Sequence, residues 1–489
     1  MGNGREPKPA PLRRSYEYVE GWGMSHGAHA RVLRPESTDQ VQAAFAAALE
    51  AGTSLALRGS GCSYGDASVT SDGQVLDLTR MNRILSFDPQ TGIADMQAGV
   101  TIRDLWRHSL PQGYWPMVVS GTMYPTMAGA AGMNIHGKNN FAVGTFGEHV
   151  LEFDLVRPDG ELVTASPERN RDLYHAAIGG FGMLGCMTRL RMQTKRIHSG
   201  EIAVKGISCH DLEEMMAYFE ANKAEADYLV GWLDCFSGED ALGRGLIHHA
   251  RYLAPGEDLE PEKTLRVDHQ ELPDSILGFP KGEVWRALRL FNHKAGMRLM
   301  NAVKQQAGRM EGHSGWHRQS HAAFNFLLDY VPNWKFAYGR KRGLGLIQYQ
   351  SFLPKETALA GYEEILRTCQ KRGFVSYLGV LKRHKPDPFW MTHSNDGWSL
   401  ALDFKVTPGN RAELWAMCDE LTRIVLAAGG KFYFAKDLVL GHQAMLEAFP
   451  TDKRKAFLAL KAKLDPGGLL QTDLWRRIFT PSDGYTAPA

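Results

Sequence analysis

The stretch GTMYPTMAGAAGMNIHGKN (Gly121–Asn139) decides the fold of this chain. It is crowded with glycine and alanine and lacks the apolar period of a regular buried helix, so it reads as backbone drawn close to a ligand. Two more glycine-rich loops flank it, RGSGCSYG (Arg58–Gly65) and GGFGMLG (Gly179–Gly185). Each offers backbone N–H groups with no Cβ in the way, which a pyrophosphate and a flat polar ring system require for close approach. Three such loops between residues 58 and 185 imply a large nucleotide cofactor.

Two familiar motifs inside these loops fail on context. Gly180, Gly182 and Gly185 satisfy G-x-G-x-x-G, but a dinucleotide site runs strand, loop, helix. Here DLYHAAI before the loop reads as helix and CMTRLRM after it as strand. Gly61, Ser63 and Gly65 satisfy G-x-S-x-G, and Asp437 and His442 follow in the chain order of a serine hydrolase triad. A nucleophile elbow must feed a helix, whereas DASVTSDGQVLDL is full of turn and strand formers. A serine hydrolase built on Ser63 stands as the alternative from another enzyme class.

Around the loops, TDQVQAAFAAALEAG predicts a helix with Val41, Ala44, Phe45, Ala48 and Leu49 as its apolar stripe, Thr38 as cap and Gly52 as stop. A short β-run over Ser54–Arg58 follows, then a β-meander through QVLDLTRMNRILSF and GIADMQAG. Thr101 and Asp104 have the spacing of a capping box for a helix over Thr101–Leu110, ended by Pro111. HVLEFDLV and ELVTA flank R-P-D-G as a hairpin. From about residue 199 helices such as DLEEMMAYFEANK alternate with strands such as GLIQYQSF and GWSLALDFKV, and the last sixty residues return to a mixed pattern. That pattern predicts one domain inserted into another: a tail over 1–14, a first domain over 15–198 and 431–489, and a second over 199–430. Residues 255–275 and 305–322 read as surface loops, with a lid as one role for them. His313, His317 and His321 recur every four residues but lack a metal-site motif, and read as a solvated loop with no metal expected.

The 489 residues are 44% apolar and 22% charged, the mix of a globular protein, and the net charge of +2 excludes the electrostatic footprint of a nucleic-acid binder. Six scattered cysteines with no C-x-x-C pair predict no disulfide framework. No apolar run follows Arg13 and Arg14 and no stretch has the length of a span, so the expectation is a cytoplasmic protein whose membrane contact, where there is any, is peripheral.

RGSGCSYGD, LDLTRMNRI, the GTMYPT-to-HGKN segment, IGGFGMLG, FAKD and LDPGGLLQTDLWRR together resemble the flavoproteins of the vanillyl-alcohol oxidase superfamily. The likeness is dense over residues 55–200, fair over 335–479 and poor between. It implies an α+β, two-domain PCMH-type FAD-binding fold, with an inserted sheet-plus-helix substrate domain lying over the flavin. It also implies cofactor contacts from Arg58, Gly59, Ser60, Gly61, Cys62, Ser63, Tyr64, Gly121, Thr122, Gly129, His136, Gly137 and Gly182. Cys62 stands where many members carry a histidine bonded to FAD, so noncovalent FAD is expected, with a cysteinyl link as the alternative.

Oxidising an alcohol on a flavin requires a proton acceptor and donors near developing charge. The resemblance assigns catalysis to Lys436, Tyr64 and His136, and substrate binding to Lys138, Lys382 and Trp232. Gln348 and Gln350, two apart on a strand, share one face and can both reach a substrate. The activity implied is oxidation of a secondary hydroxyl on a sugar-like substrate, namely a lipid-linked pentofuranose in the first half of a 2'-epimerisation completed by an NAD(P)-dependent reductase. The alternative is an aldonolactone or alditol oxidase using oxygen. Ser399, Ala401 and Phe141 depart from the family pattern, so the substrate's identity stays open.

Overall fold

The computed structural model describes residues 12–480 with the exception of residues 277 and 314. The expected tail lies outside the described residues up to position 11, as do residues 481–489 at the other end. Arg13 and Arg14, which the sequence assigned to the tail, instead open a strand.

Three main sheets build an α+β fold. The first contains β1 (Arg13–Glu20), β2 (Gly27–Arg34), β3 (Leu55–Arg58) and β4 (Gln74–Asp77) in the order β1-β2-β4-β3. β1 and β2 form an antiparallel hairpin, and β4 runs parallel to both β2 and β3. The second contains β5 (Ile84–Phe87), β6 (Ile93–Gln97), β7 (Tyr114–Pro116), β8 (Val150–Val156), β9 (Leu162–Ala165) and β10 (Cys186–Arg196), with β10 at its centre. The expected meander is therefore divided between two sheets. Asp77 causes the division: its carboxylate accepts from the Thr79 amide at 3.0 Å and starts a 3₁₀ turn between β4 and β5.

The third sheet is antiparallel and eight-stranded. It uses β11 (Glu201–Cys209), β12 (Tyr228–Leu233) and β13 (Gly245–Tyr252) and, beyond a small hairpin of β14 (Ser275–Ile276) and β15 (Phe279–Pro280), β16 (His317–Ser320), β17 (Gly345–Pro354), β18 (Gly379–His384), β19 (Gly397–Val406) and β20 (Lys431–Phe432). The order is β16-β11-β13-β12-β18-β19-β17-β20. Helices Leu212–Asn222, Ala358–Arg372 and Arg411–Ala427 supply apolar faces to its core, around Phe219, Tyr362 and Trp398.

The chain then returns to the first sheet. The Leu55 amide donates to the Leu469 carbonyl at 2.6 Å and the Gln471 amide to the Leu55 carbonyl at 3.0 Å, so the C-terminal segment extends the edge at β3. Arg477 in the last helix, Asp473–Phe479, donates to Asp66 and to Asp437 at 2.8–2.9 Å. One guanidinium, 13% exposed, thus joins the loop after β3 to the loop carrying Lys436.

Local expectations fare unevenly. The helix Thr38–Glu50 buries Val41, Ala44, Phe45 and Ala48, but Leu49 at the edge of the stripe is exposed and the cap is Ser37 rather than Thr38. The Thr101/Asp104 capping box forms in both halves. Within the glycine-rich stretch a six-residue helix, Met127–Gly132, appears where none was expected, capped by the Thr126 hydroxyl. Residues 305–322 are not a surface loop: the helix Lys294–His313 runs into them, followed by β16 and the helix His321–Asn325. Nor are the histidines a solvated loop. His321 is fully buried and stacks on Trp115 at 4.9 Å, His317 lies on β16, and the side chain of His313 lies outside the described residues. No group of ligating side chains among the described residues could hold a metal ion.

Candidate active site

A cavity of about 470 Å³ lies between the glycine-rich loops and one face of the third sheet. The loops make one wall. RGSGCSYG follows β3 directly, and the Tyr64 amide donates to the Ala435 carbonyl at 2.8 Å, which pins this loop beside Lys436. The Gly179 and Phe181 amides donate to the carbonyls of Ala131 and Gly132 at 3.0 and 2.8 Å, so the third loop is sewn to the second. Gly61 has φ +69° and Gly182 φ +80°, left-handed backbone that glycine adopts without a Cβ penalty.

The sheet makes the other wall, through the alternation of side chains along strands. Gln348 on β17 stands opposite Asp403 on β19, Gln350 opposite Ala401, and Lys382 on β18 opposite Ser399. Trp232 on β12 pairs with Val380 on β18. All five substrate-binding candidates line the cavity, as do Lys436, Tyr64 and His136. Among the cofactor candidates, Arg58 through Ser63, Gly121, Thr122, Gly129 and Gly182 also line it. Gly137 does not: a Cβ there would stand 2.4 Å from Asn139 Oδ1 and 3.2 Å from the Val119 carbonyl, so it serves packing inside the loop.

The sheet wall is buried and charged. Lys436 Nζ lies 3.7 Å from the centre of the Tyr64 ring, and burial lowers its pKa while Asp403 pulls it back up. Burial raises the Asp403 carboxyl, which accepts from Gln348 Nε2 at 2.7 Å through Oδ1. Its Oδ2 is buried without a hydrogen-bond partner among the described residues. Burial alone takes Lys382 down to about 8, and burial with Lys382 nearby takes Lys138 down to about 7. Lys138 donates to the Phe324 carbonyl and lies 4.2 Å over the Phe324 ring. Tyr64 is held protonated, chiefly by burial.

His136 is not open to the cavity at either nitrogen. Gln350 Nε2 donates to its Nε2 at 3.1 Å, which leaves Nδ1–H to donate to His393 Nε2 at 3.0 Å. His384 joins through Ser399 Oγ at 2.7 Å, and Ser399 also meets the Gln350 amide at 3.3 Å. Burial holds all three rings neutral, His393 down to about 3. Asp403, His384 and His393 escaped the sequence reading. Asp403 had a signal, since Ser399, Ala401 and Asp403 alternate as Gln348 and Gln350 do. The histidines had none.

Neither residue proposed to complete a triad with Ser63 is available. Asp437 is paired with Arg477, and His442 Nδ1 donates to the Ile478 carbonyl at 2.8 Å. A flavin nucleotide, by contrast, fits the loop wall. Gly132 and Gly182 both border the cavity, and a Cβ on Gly132 would meet only the Gly182 amide nitrogen, at 3.9 Å, intruding into the gap between the second and third loops. Burial raises the Cys62 thiol, whose Sγ donates to Ser60 Oγ at 3.9 Å.

Comparison with known proteins agrees with this fit. A family profile described as a FAD binding domain matches residues 29–166. The chain is 30% identical to the decaprenylphosphoryl-beta-D-ribose oxidase of Mycolicibacterium smegmatis, over 94% of this chain and 96% of that one. It is 26% identical to the D-arabinono-1,4-lactone oxidase of Eremothecium gossypii over 48% of this chain and 44% of that one. Cytokinin dehydrogenase 2 of Arabidopsis thaliana matches at 24% over 42% of each chain. FAD is the cofactor, and the serine hydrolase alternative finds no support. No helix among the described residues is long and apolar enough to cross a membrane. The chain belongs to the vanillyl-alcohol oxidase superfamily of PCMH-type FAD-dependent oxidoreductases, in the family of the decaprenylphosphoryl-beta-D-ribose oxidase.

Proposed function

We propose that this protein oxidises a secondary hydroxyl of a sugar-like substrate, a lipid-linked pentofuranose, as the first half of a 2'-epimerisation that a separate NAD(P)-dependent reductase completes. The observation that carries this reading is the half-buried Lys436, its ammonium against the Tyr64 ring and within the field of Asp403, facing the same cavity as Lys382. Bound FAD supplies the hydride acceptor. Lys436, pushed by burial toward the neutral amine, accepts the proton that the hydroxyl must lose. Lys382 supplies positive charge, and Trp232, Lys138, Gln348 and Gln350 orient the substrate. His136 acts through Gln350, as a positioning residue. The FAD unit comprises residues 15–198 and 431–489 around the substrate unit 199–430, a division supported by the return of Leu470 to Leu55. FAD is held noncovalently, since Cys62 stands in the first loop where a histidine would be needed for a histidyl link.

Anaerobic mixing of the holoprotein with a polyprenylphosphoryl ribose tests the assignment: the oxidised flavin's visible absorption is expected to bleach within one turnover. An unchanged spectrum with that substrate, together with steady hydrogen peroxide from free aldonolactones or alditols, would transfer the reading to the lactone oxidase alternative, which the partial similarity to that enzyme favours. Acid precipitation is expected to release the yellow chromophore into the supernatant.

A further inference from the structure

The helix Lys294–His313 has its polar and apolar sides reversed for a helix facing water. Its inward side is polar: Asn301 Nδ2 donates to Asp234 Oδ1 at 3.0 Å and Gln305 Nε2 to Ser208 Oγ at 3.0 Å, both side chains buried. Its outward side carries Leu299 and Val303, one turn apart and 57% and 59% exposed. The preceding helix, Val284–Phe291, adds Leu290 at 73% exposure, and the β14–β15 hairpin adds Phe279 at 69%. An isolated exposed leucine needs no explanation, but exposed apolar side chains on consecutive elements, the last of which turns Asn301 and Gln305 inward, mark an interaction face.

Charge selects the occupant. Residues 279–304 contain six Lys and Arg against one Glu; Lys281 pairs with Asp274, Arg286 with Glu283, and Lys304 turns to the cavity, which leaves Arg289, Lys294 and Arg298 as the outward cations of this face. Arg289 and Lys294 are exposed and form no ion pair among the described residues. Cations interleaved with exposed Leu, Val and Phe suit a surface with anionic headgroups above an acyl layer. A soluble protein partner would satisfy the apolar part but leaves the concentration of positive charge without a purpose. The face also adjoins the cavity, because Lys304 of the same helix lines it with its ammonium 4.3 Å over the Trp232 ring.

We propose that residues 279–304 form a docking face for an anionic phospholipid bilayer, presenting the cavity to the membrane surface. The docking does not require the substrate assigned above, so it is measured without substrate. The full-length holoprotein is expected to float with vesicles of phosphatidylcholine and phosphatidylglycerol, to bind vesicles of phosphatidylcholine alone at least tenfold more weakly, and to be released by salt. Leu299→Glu combined with Val303→Glu, both at exposed positions, is expected to abolish flotation with FAD content and flavin reduction by a tail-free substrate unchanged. Arg289→Gln and Lys294→Gln are each expected to weaken binding about fivefold. Flotation that survives the double Glu variant, or no flotation of the parent protein, overturns the proposal. Self-association of the parent that the same variant abolishes, with no vesicle binding, also overturns it and assigns the face to a second copy.

Discussion

The two walls of the cavity solve opposite problems. The loop wall works by what it lacks: Gly129 and Gly132 on one short helix, Gly59 and Gly61 after β3, and Gly182 in the third loop leave backbone bare where a large flat cofactor must come close. The sheet wall works by what it withdraws from water: the half-buried Lys382 and Lys436 beside the buried Asp403, Gln348 and Gln350, with three neutral histidines behind. Damage to the first wall should therefore appear as lost cofactor, and damage to the second as lost chemistry with the cofactor still in place.

Lys436→Ala tests that separation at its largest. The variant is expected to keep its FAD and lose about 10²–10⁴-fold in the rate of flavin reduction, the range for a positioned proton acceptor. Stopped-flow absorbance measures it, and reduction at the parental rate would remove Lys436 from the chemistry. Arg477→Met tests the opposite point, where the walls are tied together. Removing the guanidinium leaves Asp66 and Asp437 buried and uncompensated, so a loss of about 3–5 kcal/mol in unfolding free energy is expected from denaturant titration. A loss under about 1 kcal/mol would show the pair behaving as a solvated surface contact. Gly61→Ala belongs to the loop wall alone. At φ +69° a Cβ costs about 1–2 kcal/mol, and it would stand 2.1 Å from Arg58 Nη2. Roughly tenfold weaker FAD binding is expected, with the reduction rate of the FAD-loaded fraction unaltered; a slowed rate in that fraction would blur the division between the walls.

The loop wall was more legible in the sequence than the sheet wall, for a physical reason. A glycine loop is a local feature, so RGSGCSYG, Gly121–Asn139 and GGFGMLG announce themselves without knowledge of their partners. The sheet wall needs the pairing of β17 with β19, which places Asp403 across from Gln348 and which no single strand encodes. His384 and His393 meet His136 only after the 257-residue separation between His136 and His393 has been closed by the fold. Elsewhere the apolar period failed as a guide where burial is unusual. β1 buries only Val19 among its residues and so shows no alternation, and the helix Lys294–His313 hides Asn301 and Gln305 while exposing Leu299 and Val303. The Thr101/Asp104 cap was readable because its chemistry spans four consecutive residues.

The histidine cluster gives the smallest and most specific effect. Free in an unfolded chain, His393 takes up a proton as the pH falls through its ordinary value of 6.5; folded, burial holds it neutral down to about 3. The folded pKa lies below the unfolded one, so the stability the ring contributes is present above pH 6.5 and lost progressively as the pH falls toward 3. Each such ring steepens the loss by about 1.4 kcal/mol per pH unit below 6.5. His393→Gln removes one ring while its amide oxygen can still accept from His136 Nδ1. Little change in unfolding free energy is expected near neutrality, and a difference between neutral and mildly acidic buffer smaller by about 1.4 kcal/mol per pH unit. An unaltered acid sensitivity would mean that His393 already reaches water in the folded protein. The sheet wall would then be solvated from behind, and the burial that lowers Lys382 and Lys436 would no longer separate it from the loop wall.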